Sequence, residues 1–180
     1  MNIKSRAGCV LPLLLVGIFL INIELTAVNL ALAQIAQHFK VNISKTSSIL
    51  SLYLAFFAVF AVVGGKLGDV LGRKRLVIVT SVIFILALII GGCAQYYSWL
   101  LIARSLQGLS AGAMLPNYTA LIYDNEPQQN KAATVGIISG VVGLATSVGP
   151  LFGALVTKYL GWRYIFYLNI PVSVVVLLGL

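Results

Sequence analysis

Apolar and polar positions fall along this chain in long blocks rather than with a short period. Six blocks are almost free of charge: Gly8 to Ala36, Thr46 to Gly64, Leu76 to Ala94, Leu100 to Leu121, Ala132 to Thr157 and Tyr164 to Leu180. Each approaches or exceeds the roughly 20 residues that a helix needs to cross a bilayer core. The blocks predict six transmembrane helices. Barrel strands are excluded, because the runs are too long and lack strict alternation. The sixth block reaches Leu180 after 17 residues, with no polar flank. The expectation is therefore one six-helix N-terminal domain over residues 1–180, cut within its sixth helix.

Composition sharpens the class. Hydrophobic residues make up 60% of the 180 and charged residues only 9%, against about 25% charged in soluble domains. The chain reads as an all-α, multi-pass membrane protein. Its net charge of +8 does not point to nucleic acid, because the twelve Lys and Arg are scattered between apolar blocks. Cys9 and Cys93 lie within predicted spans at no metal-ligand spacing and read as small packing residues; no metal or cofactor is expected.

Orientation follows from the cations. With the N-terminus in the cytoplasm, the inner segments carry Lys4, Arg6, Lys66, Arg73, Lys74, Arg75 and Lys131, and the outer loops Lys40, Lys45, Lys158 and Arg163. Seven against four favours that arrangement in a cell membrane. Tyr96, Tyr97, Trp99, Trp162, Tyr164 and Tyr167 then form an outer interfacial belt. Lys4, Arg6 and Ala31-Leu32-Ala33 imitate a cleaved signal peptide. The uncharged stretch from Ala7 to Ile23 exceeds the usual apolar region of about 7 to 15 residues, so cleavage is not expected.

The connection between the second and third blocks, Gly64 to Arg75, reads GGKLGDVLGRKR. It is not a phosphate cradle, since the P-loop order of glycines and Lys-Ser/Thr is absent. A topogenic loop explains its four cations but neither Asp69 nor the spacing of Gly65, Gly68 and Gly72, which allow tight turns and close approach. From Gly65 to Arg75 the stretch resembles the G-x-L-A/G-D-x-x-G-R-K/R-R/K signature of the major facilitator superfamily, which occupies this same loop in that family. The resemblance implies a charge network of Asp69 with Arg73 or Arg75 that reports conformation; Val70 stands where the family often has Arg.

Three further segments agree. Leu101 to Ala113, with Arg104, Gln107 and Gly108, resembles the family's fourth-helix motif, whose Arg is implicated in proton transfer. Gly143 to Gly153, with Gly149 and Pro150, resembles the fifth-helix motif associated with antiporters, although Ala145 and Ala154 replace common glycines. Glu24, Thr26 and Asn29 are similar to the D-x-T-x-x-N-x-A-L segment of the 14-helix drug:proton antiporter branch, with Glu in place of Asp. Gly161 to Pro171 before the sixth block extends the likeness to nearly the whole chain.

The residues themselves support a site. An ionisable group at mid-bilayer costs about 2.5 to 3.5 kcal/mol on insertion scales and marks function by default. Glu24 lies near the middle of the first span. Arg104 lies about 6 Å into the fourth, close enough to its end that snorkelling is an alternative. Glu24 is alternatively a protonated structural carboxyl. On the first helix Asn22, Thr26 and Asn29 share a face, with Glu24 roughly 140 to 200° around at 100° per residue. Both sides should therefore meet protein or cavity. Gly136, Gly140 and Gly143 repeat at i, i+4, i+7 for close packing, and Gly149-Pro150 should introduce a kink. Leu71-Gly72-Arg73 and Leu160-Gly161-Trp162-Arg163 sit 89 positions apart at comparable helix ends, as two inverted three-helix repeats require.

Together these readings predict a proton-coupled antiporter exporting drugs or other amphipathic molecules, of which the chain is one half, and not an enzyme. Glu24, Asn29, Arg104 and Gln107 are the proton-coupling and cavity candidates. Its partners are small-molecule substrate, protons, the lipid bilayer and a C-terminal half or second copy. A metabolite symporter or uniporter, or a non-transporting membrane fragment, are the alternatives.

Overall fold

The computed structural model describes the backbone of residues 3–125 and 127–180 and the side chains of 11–125, 127 and 129–180. Six helices follow one another: α1 (Ile3–Phe39), α2 (Ile43–Leu71), α3 (Arg73–Gly92), α4 (Tyr97–Asn125), α5 (Lys131–Tyr159) and α6 (Arg163–Gly179), with a 3-10 turn over Gln128–Asn130 before α5. There is no strand among the described residues. A helix satisfies its own backbone hydrogen bonds, so apolar blocks of this length become helices wherever water is excluded. The side chains of Lys4, Arg6 and Cys9 lie outside the described set.

Four of the six helices are long and apolar enough to cross a membrane: α1 from Leu11, α2, α3 and α5. The short α6 is apolar. In contrast, α4 carries Arg104, Gln107, Ser110 and Asn117, all buried inside the bundle. Its polarity therefore faces neighbouring helices rather than lipid, the usual arrangement for polar groups in membrane interiors.

Packing repeats with exchange of the two halves. α2 packs chiefly on α4 and α5 chiefly on α1, while α3 packs on α4 and α6 on α1 as well as on α3. Swapping α1–α3 for α4–α6 converts the first member of each relationship into the second, as inverted repeats demand. Glycines mark the correspondence. Gly72 and Gly161 have φ of +93° and +98°, a backbone favouring glycine, immediately before α3 and two residues before α6. Gly64 lies against Ala113 of α4, and Gly153, 89 positions later, against the backbone of Ala27 in α1.

One end of the bundle gathers the C-termini of α1, α3 and α5. There Arg163 donates to the Ala94 carbonyl at 2.8 Å and lies 3.1 Å from Nε2 of His38, and the Tyr97 hydroxyl donates to the Lys45 carbonyl at 2.5 Å. Asn42 caps α2 by accepting from the Ser44 amide. The interfacial belt needs one correction. Tyr96, Trp99 and Tyr164 are exposed, but Trp162 is buried against His38, Phe39 and Phe166, because the end of α1 covers it. Cys93 also departs from expectation: it is exposed at the end of α3, 3.6 Å from the Tyr167 hydroxyl, and packs no interior.

Candidate functional site

The mid-bundle site begins where α1, α4 and α6 meet. Glu24 and Arg104 are both fully buried, at 0% exposure, so Arg104 does not snorkel. Its Nη1 donates to Glu24 Oε1 at 2.9 Å and to Gln107 Oε1 at 2.7 Å. Gln107 stands one turn further along α4, which brings its amide back toward the same guanidinium. The second carboxylate oxygen accepts from Asn169 Nδ2 at 2.6 Å. Asn169 is itself oriented by the Ile165 carbonyl, 2.8 Å away on α6.

The guanidinium also lies over the ring of Tyr53 on α2, 4.3 Å from its centroid, and Tyr53 stacks with Phe57. A cation over a desolvated aromatic face gains about 2 kcal/mol or more. Gly108 makes this approach possible, since a Cβ there would collide with the Tyr53 carbonyl. The cluster thus joins four helices around one basic and one acidic side chain. Arg104 Nε and Nη2, Gln107 Nε2 and the Tyr53 hydroxyl have no hydrogen-bond partner among the described residues. These spare donors lie beside the Glu24 and Gln107 oxygens that already accept from Arg104 and Asn169.

Asn29 does not join this group. It is exposed on α1, more than a helical turn from Glu24, and forms no side-chain hydrogen bond among the described residues. Thr26 turns instead toward α5, where Gly149 leaves room for it. Sequence reasoning overlooked Tyr53, which carries no motif. Asn169, inside the Gly161 to Pro171 segment, was given no role either, although a polar side chain within an apolar block is a usable signal.

A second cluster surrounds the α2–α3 turn. Arg73 donates to Asp69 Oδ1 from Nε at 3.2 Å and Nη2 at 2.9 Å, and to Asp124 Oδ2 from Nη1 at 2.5 Å. One side chain on α3 thereby ties α2 to α4. Asp124 is the member the sequence reading missed, although the chain has only four acids. Beneath it, Asn117 of α4 donates to the Gly64 carbonyl at 2.8 Å and occupies the space a Cβ on Gly68 would need. Gly65 meets nothing within 4 Å, and Arg75 takes no part in the described ion pairs.

The fifth-helix glycines divide in two. Gly149 and Gly153 are buried against α1, whereas Gly136, Gly140 and Gly143 meet nothing within 4 Å and lie exposed. The expected close packing of that upper stripe is thus absent among the described residues. α5 continues through Pro150 as one helix.

The six-helix fold agrees with comparisons to known proteins. The chain is 31% identical to Multidrug resistance protein 3 of Bacillus subtilis (strain 168) over 89% of its length and 31% of that protein. It is 28% identical to Riboflavin transporter RibZ of Clostridioides difficile (strain 630), covering 95% of this chain and 38% of the relative. A crystal structure of a peptide transporter POT (E310Q mutant) in complex with alafosfalin superposes with a TM-score of 0.82 at 17% identity, over 99% of this chain and 41% of that one. The chain spans between 25% and 38% of the length of the curated relatives it matches. The family model described as Major Facilitator Superfamily matches residues 14–180, and with the six-helix inverted repeat in place the chain belongs to the major facilitator superfamily.

Proposed function

We propose that residues 1–180 form the N-terminal six-helix domain of a proton-coupled antiporter that exports amphipathic small molecules, with Glu24 as the proton-carrying group. The observation that carries this reading is the fully buried Glu24–Arg104 pair, completed by Asn169 and Gln107. A role in transport rather than enzymatic chemistry accords with the family. Export of drugs is supported by the resemblance to a multidrug resistance protein.

The mechanism follows from charge. With Glu24 ionised, both its oxygens accept hydrogen bonds and the interior is neutral. Protonation removes the anion and leaves Arg104, which stays charged, as an unpaired cation beside Tyr53. That state is costly unless water reaches the spare donors. A hydrogen-bond donor or cation on the cargo needs the same Glu24 carboxylate that the proton needs, so proton and cargo compete for it, the requirement for exchange. Arg104 tunes the competition by its field and transfers no proton itself.

In this proposal the N-terminus is cytoplasmic, on the charge bias, and the Asp69–Arg73–Asp124 group is an inner-side latch. The open sides of α2 and α5, which are largely exposed in this six-helix bundle, pack against a second six-helix unit, a further part of the same protein or a second copy. Gly136, Gly140 and Gly143 lie on that side. The cargo site is then formed between the two units, near mid-membrane.

The test follows internal pH in reconstituted vesicles as substrate is added. Glu24→Gln should abolish substrate-linked proton movement, Glu24→Asp should retain part of it, and Arg104→Lys should fall between wild type and Arg104→Ala. Normal proton movement in Glu24→Gln would make the carboxyl structural. The riboflavin-transporter relative favours a second reading, carriage of a metabolite; uptake of such a solute, with no efflux of amphipathic compounds in the same vesicles, would establish it.

A further inference from the structure

A third polar group of the interior belongs to neither cluster. Ser81 on α3, Tyr118 on α4 and Ser173 on α6 line one small cavity, together with Gly17 of α1, Phe84 and Met114. All three are buried, and none of their hydroxyls meets hydrogen-bond geometry with a described residue, although those of Tyr118 and Ser81 lie near each other. Of the other buried Ser and Thr hydroxyls among the described residues, only that of Thr157 is also unpaired. Thr80, Ser105, Ser110, Thr119 and Thr146 all donate to a carbonyl one turn back on their own helices. Ser81 and Ser173 could do the same and instead remain unpaired at the wall of a shared space.

The space suits one occupant. The centre of a water-sized sphere can move over about 10 Å³ there, close to the threshold of about 10–15 Å³ for a single water, which typically makes about three hydrogen bonds. Three hydroxyls from three helices supply that number, and each can donate or accept. Gly17 seats the phenol: a Cβ at that position would come within 2.7 to 3.0 Å of the Tyr118 ring and push it into the cavity.

The site's place in the bundle matters. Ser173 follows Asn169 by four residues on α6, about 6 Å along the same face, and Asn169 holds Glu24. Tyr118 lies on α4 between Arg104 and Asp124, and Ser81 lies two turns into α3 from Arg73. The cavity therefore stands between the buried carboxylate and the α2–α3 turn end of the bundle.

We propose that Ser81, Tyr118 and Ser173 bind one ordered water, and that this water is the polar step through which Glu24 communicates with the α2–α3 turn end. The second half rests on Glu24 being the proton-coupling group; the first does not. Water and hydroxyls can each accept a proton on oxygen and release the one already held, so the step conserves charge. Leu20, Ile21, Phe84 and Met114 supply apolar wall to the same cavity, so the three hydroxyls are the polar side-chain groups that line it.

Radiolytic hydroxyl labelling read by mass spectrometry, on the protein in lipid nanodiscs, tests the water directly, because radicals born from an ordered internal water mark the side chains around it. Tyr118 should label several-fold faster than Phe166, which is equally buried but lies outside the cavity. The Ser81→Ala/Ser173→Ala double variant should bring Tyr118 down toward the Phe166 rate. Equal rates in the wild type, a comparison that needs no variant, overturn the water site. In vesicles, the double variant should slow substrate-linked proton movement several-fold with the substrate KM unchanged. Unchanged proton movement overturns the communicating role while labelling still reads the water. Normal coupling in Glu24→Gln overturns the proton-coupling reading and the communicating role together, and leaves the labelling result standing.

Discussion

Glu24 and Arg104, eighty residues apart in sequence, meet at 2.9 Å with no part of either side chain exposed. A pair so placed is weak evidence of net stabilisation, because desolvation offsets much of the attraction. Removing one partner is another matter. Arg104→Ala should destabilise the bundle by about 3–5 kcal/mol, whereas Glu24→Leu combined with Arg104→Met should recover most of that loss. Thermal unfolding of the single and double variants in detergent measures the difference. Additive losses would show that the two charges are not coupled.

The Asp69–Arg73–Asp124 group answers differently, since its side chains are 31% to 64% exposed. Asp69→Asn and Asp124→Asn should each change stability by no more than about 1 kcal/mol while slowing transport by a latch that depends on them. Efflux assays paired with unfolding curves separate the effects. Unchanged efflux in both variants would leave Arg73 a topogenic cation only.

Glycine positions in the loop signature should rank by geometry rather than by membership of the motif. Gly72→Ala forces a side chain onto a φ of +93° and should cost about 1–3 kcal/mol. Gly161→Ala should match it, at φ +98°. Gly65→Ala meets open space inside a helix and should be neutral or stabilising by up to about 1 kcal/mol. Equal losses at all three positions, in unfolding measurements, would overturn the ranking.

On α5 the contrast is between the two glycine groups. Gly153→Val would drive its branches into the backbone of Ala27 and should loosen α5 from α1, lowering the unfolding temperature. Gly140→Val should leave the unfolding of this six-helix domain unchanged and impair transport alone, if a second unit packs there. Equal thermal losses at Gly140 and Gly153 would show that the upper stripe already packs within these six helices.

Topology is open to single-cysteine labelling in intact cells. Cysteines at Lys74 and Lys131 belong to one end of the bundle and those at Tyr97 and Lys158 to the other. The proposed orientation expects the first pair to react only from inside and the second only from outside. External reaction of Lys74→Cys would invert it.

What the sequence determined alone was everything that depends on neighbours along the chain. Apolar block length set the six helices, because backbone groups without water must pair within their own segment. Gly72 and Gly161, spaced by 89 residues, marked the repeat, because each turn needs a backbone that a side chain would strain. Glu24 and Arg104 stood out by the expense of burying charge. Tertiary structure decided who meets whom. The rotation of each helix about its axis, set by packing across distant segments, brought Asn169 and Tyr53 to the ion pair and left Asn29 outside it. It also gave Arg73 a second acid in Asp124 and set Gly149 and Gly153 against α1 while Gly136, Gly140 and Gly143 faced outward. A helical period states which residues share a face; only the neighbouring helices decide what that face touches.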